Sequence, residues 1–161
     1  MVRSIRIYIL SLLILVLTSC GFQPIYKTAD RNIDSVNYSV KFKNEPGYEV
    51  KNKIKEVFNY SNSENFYTVN LTVHESNTPL IVNTNGTVSK YRLEIIIHFD
   101  LIKNSTNKSI YEDVVRGFAE YFVQTSEIQT NEKRKQAIEV ATEDAIQMMS
   151  VKIQSNIAQS E

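Results

Sequence analysis

Cysteine is almost missing from this chain: one residue, Cys20, in 161. A lone cysteine excludes an intramolecular disulfide, so its sulfur is reactive, joined to another chain or chemically consumed. Glycine and proline are also scarce, at four and three, and tryptophan is absent. With so few chain breakers and 42% hydrophobic residues, wholesale disorder is excluded. Neither sign of charge is in excess, because Lys plus Arg equals Asp plus Glu at 18 each. That balance removes the basic footprint a nucleic-acid binder needs. The length suits one domain and is too short for two independent cores.

The signatures of catalysis are lacking as well. There is no Gly-rich phosphate loop and no Gly-x-Ser-x-Gly elbow. The only two histidines, His74 and His98, fall on the polar phase of alternating segments, as solvent-facing strand residues do, and no Cys or His spacing suggests a metal site. Glu139, Glu143 and Asp144 lie among Lys and Arg in a helical segment, the pattern of a solvated face. The expectation is a protein with no catalytic residues, no metal and no dissociable cofactor.

What is present begins at the N-terminus. Arg3 and Arg6 precede an apolar run, Ile7 to Leu17, closed by Leu17-Thr18-Ser19-Cys20. The run is shorter than the roughly 20 apolar residues of a bilayer span but suits an export signal. The alternatives are an uncleaved anchor, or an ordinary signal cut near Ser19. Leu-Thr-Ser-Cys resembles the lipobox of bacterial lipoproteins, and the chain's one cysteine stands where that motif requires it. The resemblance implies cleavage of residues 1–19, a diacylglyceryl thioether on Cys20 and acylation of its freed amine. Two or three acyl chains hold a soluble domain stably at a membrane, whereas one does so marginally. Gly21, rather than an Asp, follows the cysteine, which by analogy with bacterial sorting favours the outer membrane. Losing Arg3 and Arg6 leaves 16 basic against 18 acidic residues, a mature chain near −2.

After a tether over residues 20–35, one domain over 36–161 is expected. Val36, Tyr38, Val40 and Phe42 alternate as a first strand, ended by Asn44-Glu-Pro-Gly47. Between Tyr48 and Tyr60 the period becomes helical, with Val50, Ile54, Val57 and Phe58 on one side. A second strand carries Tyr67, Val69, Leu71 and Val73 and is expected to break at Asn77-Thr-Pro79. Asn83-Thr-Asn85-Gly86 signals a turn, because Asn-Gly tolerates positive φ. A third strand shows Tyr91, Leu93, Ile95, Ile97, Phe99 and Leu101, and a polar turn over 103–108 leads to a fourth, roughly Ser109 to Gln124. Both faces of that last strand are partly apolar, so either could point inward. A terminal helix with Thr130 or Asn131 as N-cap presents Ile138, Ala141, Ala145, Met149, Ile153 and Ile157. The order β-α-β-β-β-α predicts a two-layer α+β fold, a four-stranded sheet with both helices on one face.

Cys20-Gly21-Phe22-Gln23-Pro24-Ile25-Tyr26 resembles the start of mature lipopolysaccharide-assembly lipoproteins of the LptE family, many of which read Cys-Gly-Phe-x-Pro-Leu-Tyr. The Asn-Gly turn ahead of the long Tyr91 strand and the charged C-terminal helix agree with that family's architecture. The resemblance implies a non-enzymatic outer-membrane lipoprotein that plugs the LptD β-barrel, helps it assemble and contacts lipopolysaccharide (LPS). A polyanion calls for Lys or Arg at its contact site, and the candidates are Lys90, Arg92, Lys133, Arg134 and Lys135. In related proteins the tip of the Asn-Gly loop can carry a basic residue, where this chain has Thr84. The alternative function is that of another outer-membrane lipoprotein, a binding or scaffold module for a different envelope component.

Overall fold

A computed structural model describes residues 38–58 and 66–160. The export segment, Cys20 and the tether lie outside the described residues. The elements are β1 (Tyr38–Phe42), α1 (Tyr48–Val57), β2 (Tyr67–Val82), β3 (Val88–Lys103), β4 (Lys108–Phe122) and α2 (Glu127–Ser160). They form one four-stranded sheet in the order β1-β2-β3-β4, with β1 parallel to β2 and the remaining pairs antiparallel. The parallel pair requires a crossover, which α1 supplies.

Alternation decides which face is dry. Val69, Leu71 and Val73 of β2, Leu93 to Leu101 at every second residue of β3, and Val115 and Tyr121 of β4 are buried against Val50 and Ile54 of α1 and the stripe from Ile138 to Ile157 of α2. Each fully buried aliphatic side chain contributes roughly 1.5–3 kcal/mol relative to exposure. Both helices therefore lie on one face, as the sequence predicts. The inward face of β4, which the sequence leaves open, is the one with Tyr111, Val115, Gly117, Ala119 and Tyr121; Phe118 and Phe122 point the other way and are exposed.

The strand break expected at Asn77-Thr78-Pro79 does not occur, and β2 continues to Val82. The pairing of β1 ends at Leu71, so beyond this point β2 is an edge strand, where a missing N–H costs no ladder bond. Pro79 pairs with Tyr91, and the register shifts on either side of Ile81 absorb the irregularity. Asn77 is held by its own bond, Nδ2 to Tyr121 Oη at 2.8 Å. Asn44 closes the end of β1 in similar fashion. Its amide donates to Val73 O at 2.7 Å and accepts from Val73 N at 3.0 Å, imitating one more strand residue.

The turn after β2 forms where Asn-Gly predicts it, with Gly86 at φ +82° and Asn85 Oδ1 accepting from Thr87 N at 3.1 Å. The last helix begins at Glu127, ahead of the Thr130 and Asn131 caps expected. Thr130 lies instead in the first turn, and its hydroxyl accepts from Gln124 N at 2.9 Å, tying the end of the sheet to the helix start. In α1 the helical hydrogen bonding stops at Phe58, whose N–H donates to Ile54 O at 3.0 Å.

Candidate functional site

No described element covers the second face of the sheet. It carries charged and apolar side chains side by side: Glu94, Ile96, His98 and Asp100 from β3, and Arg116, Phe118, Glu120 and Phe122 from β4. Arg116 Nη1 donates to Glu94 Oε1 at 2.9 Å. Asp100 accepts from Ser109 Oγ at 2.6 Å and lies 3.5 Å from Lys43 Nζ. His74 and His98 sit edge to face with ring centroids 5.9 Å apart, both exposed, as their polar phase predicts. Among the described residues no group of three or more His, Cys, Asp or Glu is arranged to hold a metal ion.

The face is richest where the β2–β3 hairpin runs past the core. No residue of β2 after Val73, and none of β3 before Leu93, is buried. Cross-strand register puts Arg92 opposite Glu120 and Lys90 opposite Phe122. Glu120 accepts from Arg92 Nη2 at 3.2 Å and pairs with Lys90 as well. Those two bonds, Lys90 first, hold its carboxyl below the usual carboxylate range. One carboxylate against two cations leaves a positive charge in excess. Lys90 Nζ lies 5.0 Å from the Phe122 ring centroid, a cation–π contact. Phe118 and Phe122 are about half exposed, and Leu80, Ile81 and Val82 of the same hairpin are exposed too. The result is a patch both cationic and apolar, suited to an amphipathic polyanion.

The other three cation candidates lie elsewhere. Arg134 pairs with Glu75 of β2, and Lys135 Nζ lies 4.0 Å from Glu49 of α1. Both therefore join elements on the helix side. Lys133 donates to Gln136 Oε1 at 3.1 Å and lines a shallow groove between α2 and β4 with Glu120 and Phe122. The five do not form one cluster: Lys90 and Arg92 share a site, Lys133 is around the β4 edge from it, and Arg134 and Lys135 serve packing. Sequence reasoning missed Glu120 and Phe122 because the outward face of β4 was unassigned. The signal that could have found them is hairpin register, which sets Glu120 against Arg92.

A second polar cluster closes the far end. Asp113 accepts from Lys152 Nζ, from Tyr111 Oη at 2.7 Å and from Val114 N at 2.7 Å. These bonds, Lys152's first, lower its carboxyl to about 2. The same contacts raise the Tyr111 phenol and the Lys152 ammonium. The cluster fastens the C-terminal part of α2 to β4.

A search of curated proteins finds no match to this chain. Solved structures do match in fold. A protein from Caulobacter crescentus described as a lipoprotein has 12% identity and a TM-score of 0.61, over 81% of this chain and 95% of that one. The rare lipoprotein B of Shewanella oneidensis has 14% identity and a TM-score of 0.51, over 75% and 98%. A minor lipoprotein of Acinetobacter baumannii has 16% identity and a TM-score of 0.50, over 74% and 92%. At these identities the likeness is one of fold. The family model for LptE, described as lipopolysaccharide-assembly, matches residues 33–153, most of the chain and nearly all of the folded domain. The chain belongs to the LptE family of lipopolysaccharide-assembly proteins.

Proposed function

We propose that this protein is an outer-membrane lipoprotein, anchored through acyl chains on Cys20, that occupies an LptD-like β-barrel as a plug, assists its assembly and contacts LPS in transit. The observation that carries the reading is the uncovered sheet face, where ion pairs such as Arg116–Glu94 alternate with exposed Phe118 and Phe122. A barrel lumen is polar and hydrated, and a plug within it needs a surface of mixed character on a rigid support. The sheet backed by two helices provides that support. The hairpin end with Lys90 and Arg92 is the part suited to LPS, because its excess positive charge and its aromatic and aliphatic neighbours match a phosphorylated, acylated ligand. The protein supplies binding and positioning in this account and performs no bond chemistry.

Site-specific photocrosslinking in the native envelope tests it. Probes at His98, Arg116 and Phe118 should give an adduct of barrel size, and probes at Arg92 and Phe122 should give LPS. Adducts only to small soluble proteins, from either set, would refute the reading.

A further inference from the structure

α2 packs closely on β4, the last strand of the sheet, and beyond that strand no described element fills the space beneath the helix. Small residues decide the shape of that space. At Gly117 the helix backbone meets the strand and closes it. Two residues further along β4 and one turn back along α2, Ala119 and Ala137 line a groove of about 470 Å³. Neither carries more than a methyl group, so helix and strand stand apart there. Phe122 and Val140 complete its apolar walls, exposed at 55% and 54%. Large apolar side chains left open around a groove mark a ligand site or an interface.

Charge marks one end of it. Lys133, Ala137 and Val140 follow at spacings of four and three, a single line down α2. From Lys133 to Ala141, where the groove closes, is about 12 Å of helix. Lys133 is uncompensated: it bonds the neutral Gln136 amide and makes no ion pair with any described residue. Lys90, Arg92, Arg134 and Lys135 each have a carboxylate. The carboxylate that does line the groove, Glu120, is held by Lys90 and Arg92 from the open face of the strand. Glu120 and Phe122 thus belong to both places, and three cations ring the end of β4 from which the groove runs. A polypeptide would find few partners there for its amides. Gln124 Nε2 donates to Phe122 O, Tyr121 Oη accepts from Asn77, and the Gln136 carbonyl is taken by Lys133. Hydrocarbon needs none.

We propose that this groove holds one acyl chain of LPS, with its mouth at Lys133, which pairs a phosphate. The inference rests on the reading of the hairpin end as an LPS site and adds the path of the hydrocarbon. From Lys90 and Arg92 the chain turns round the β4 edge to the helix side, rather than crossing the open face over Phe118. Covering two methylenes strengthens binding roughly tenfold.

The test uses the full chain in its native envelope, with a benzophenone probe at Val140. The probe should capture LPS, and tandem mass spectrometry should place the linkage on a fatty acyl chain. A probe at Gln147, exposed and two turns further along the same side of α2, should capture no LPS. Gln136→Trp lays a ring over the groove and should cut the Val140 adduct about tenfold, while an Arg92 probe still captures LPS. Lys133→Glu should cut the Val140 adduct about fivefold. Both positions are exposed, so circular dichroism should show the domain folded. LPS at the Arg92 probe without LPS at Val140 would overturn the groove and leave the LPS site standing. So would a Val140 adduct made of phospholipid, one joined through the LPS sugars, or one indifferent to Gln136→Trp. Absence of LPS from every probe would overturn both readings.

Discussion

Gly117 of β4 lies so close beneath Ala141 of α2 that a Cβ added to it would stand 1.8 Å from the Ala141 carbonyl oxygen and 2.8 Å from the Ala145 nitrogen. The contact is backbone on backbone, so no side chain can swing aside. Gly117 and the small residues Ala137, Ala141 and Ala145 let the long helix settle onto the edge strand. Gly117→Ala should force α2 away from the sheet and destabilise the domain by roughly 3 kcal/mol or more. A thermal melt followed by circular dichroism reads this, and an unchanged midpoint would refute the close approach.

The Asp113 cluster makes stability depend on pH. Its carboxyl titrates near 2 in the folded protein, below the ordinary aspartate value of about 3.9. A depressed carboxyl stabilises the folded state at pH values above its unfolded pKa, and that contribution is lost as pH falls from about 4 toward 2. Asp113→Asn should therefore lower stability most at neutral pH, with the difference from the parent shrinking across that window. Denaturant melts at pH 7 and pH 3 measure the two gaps, and equal gaps would show that the ion pair with Lys152 contributes nothing.

At the hairpin end, Lys90→Glu with Arg92→Glu should weaken LPS binding by about fivefold or more, because the excess positive charge becomes negative. Both side chains lie outside the core, so the fold should survive. The matching reversal at Lys135 should change binding little, since that residue faces Glu49 of α1. A pull-down with immobilised LPS separates the two variants from each other and from the parent. Equal binding by the parent and the double variant would remove Lys90 and Arg92 from the site.

The lipid anchor makes its own prediction. Intact-mass analysis of protein purified from membranes should show residues 1–19 gone and acyl mass on Cys20, and Cys20→Ser should retain the leader. A free thiol at Cys20 in the native protein would end the reading of the N-terminus.

Much of the fold is legible in the sequence because a two-faced sheet imposes strict alternation. Leu93 to Leu101 on β3, and Ile138 to Ile157 on α2, announce their period and their buried side. Pro79 misleads because its harmlessness depends on where β1 stops, a non-local fact. The inward face of β4 is hidden for a similar reason. Phe118 and Phe122 look like core, yet Gly117 faces the helix because α2 must come close there. The cationic candidates are legible as residue types only. Which of them share a site is set by tertiary structure: strand register brings Lys90 and Arg92 to Glu120, and the packing of α2 on the sheet brings Arg134 to Glu75.

Affinity capture of the full, membrane-processed chain from detergent-solubilised envelopes tests the central claim most directly. The account predicts that a large β-barrel protein is recovered with it in near-stoichiometric amount and survives stringent washing. Recovery of the acylated chain without any barrel protein would contradict it.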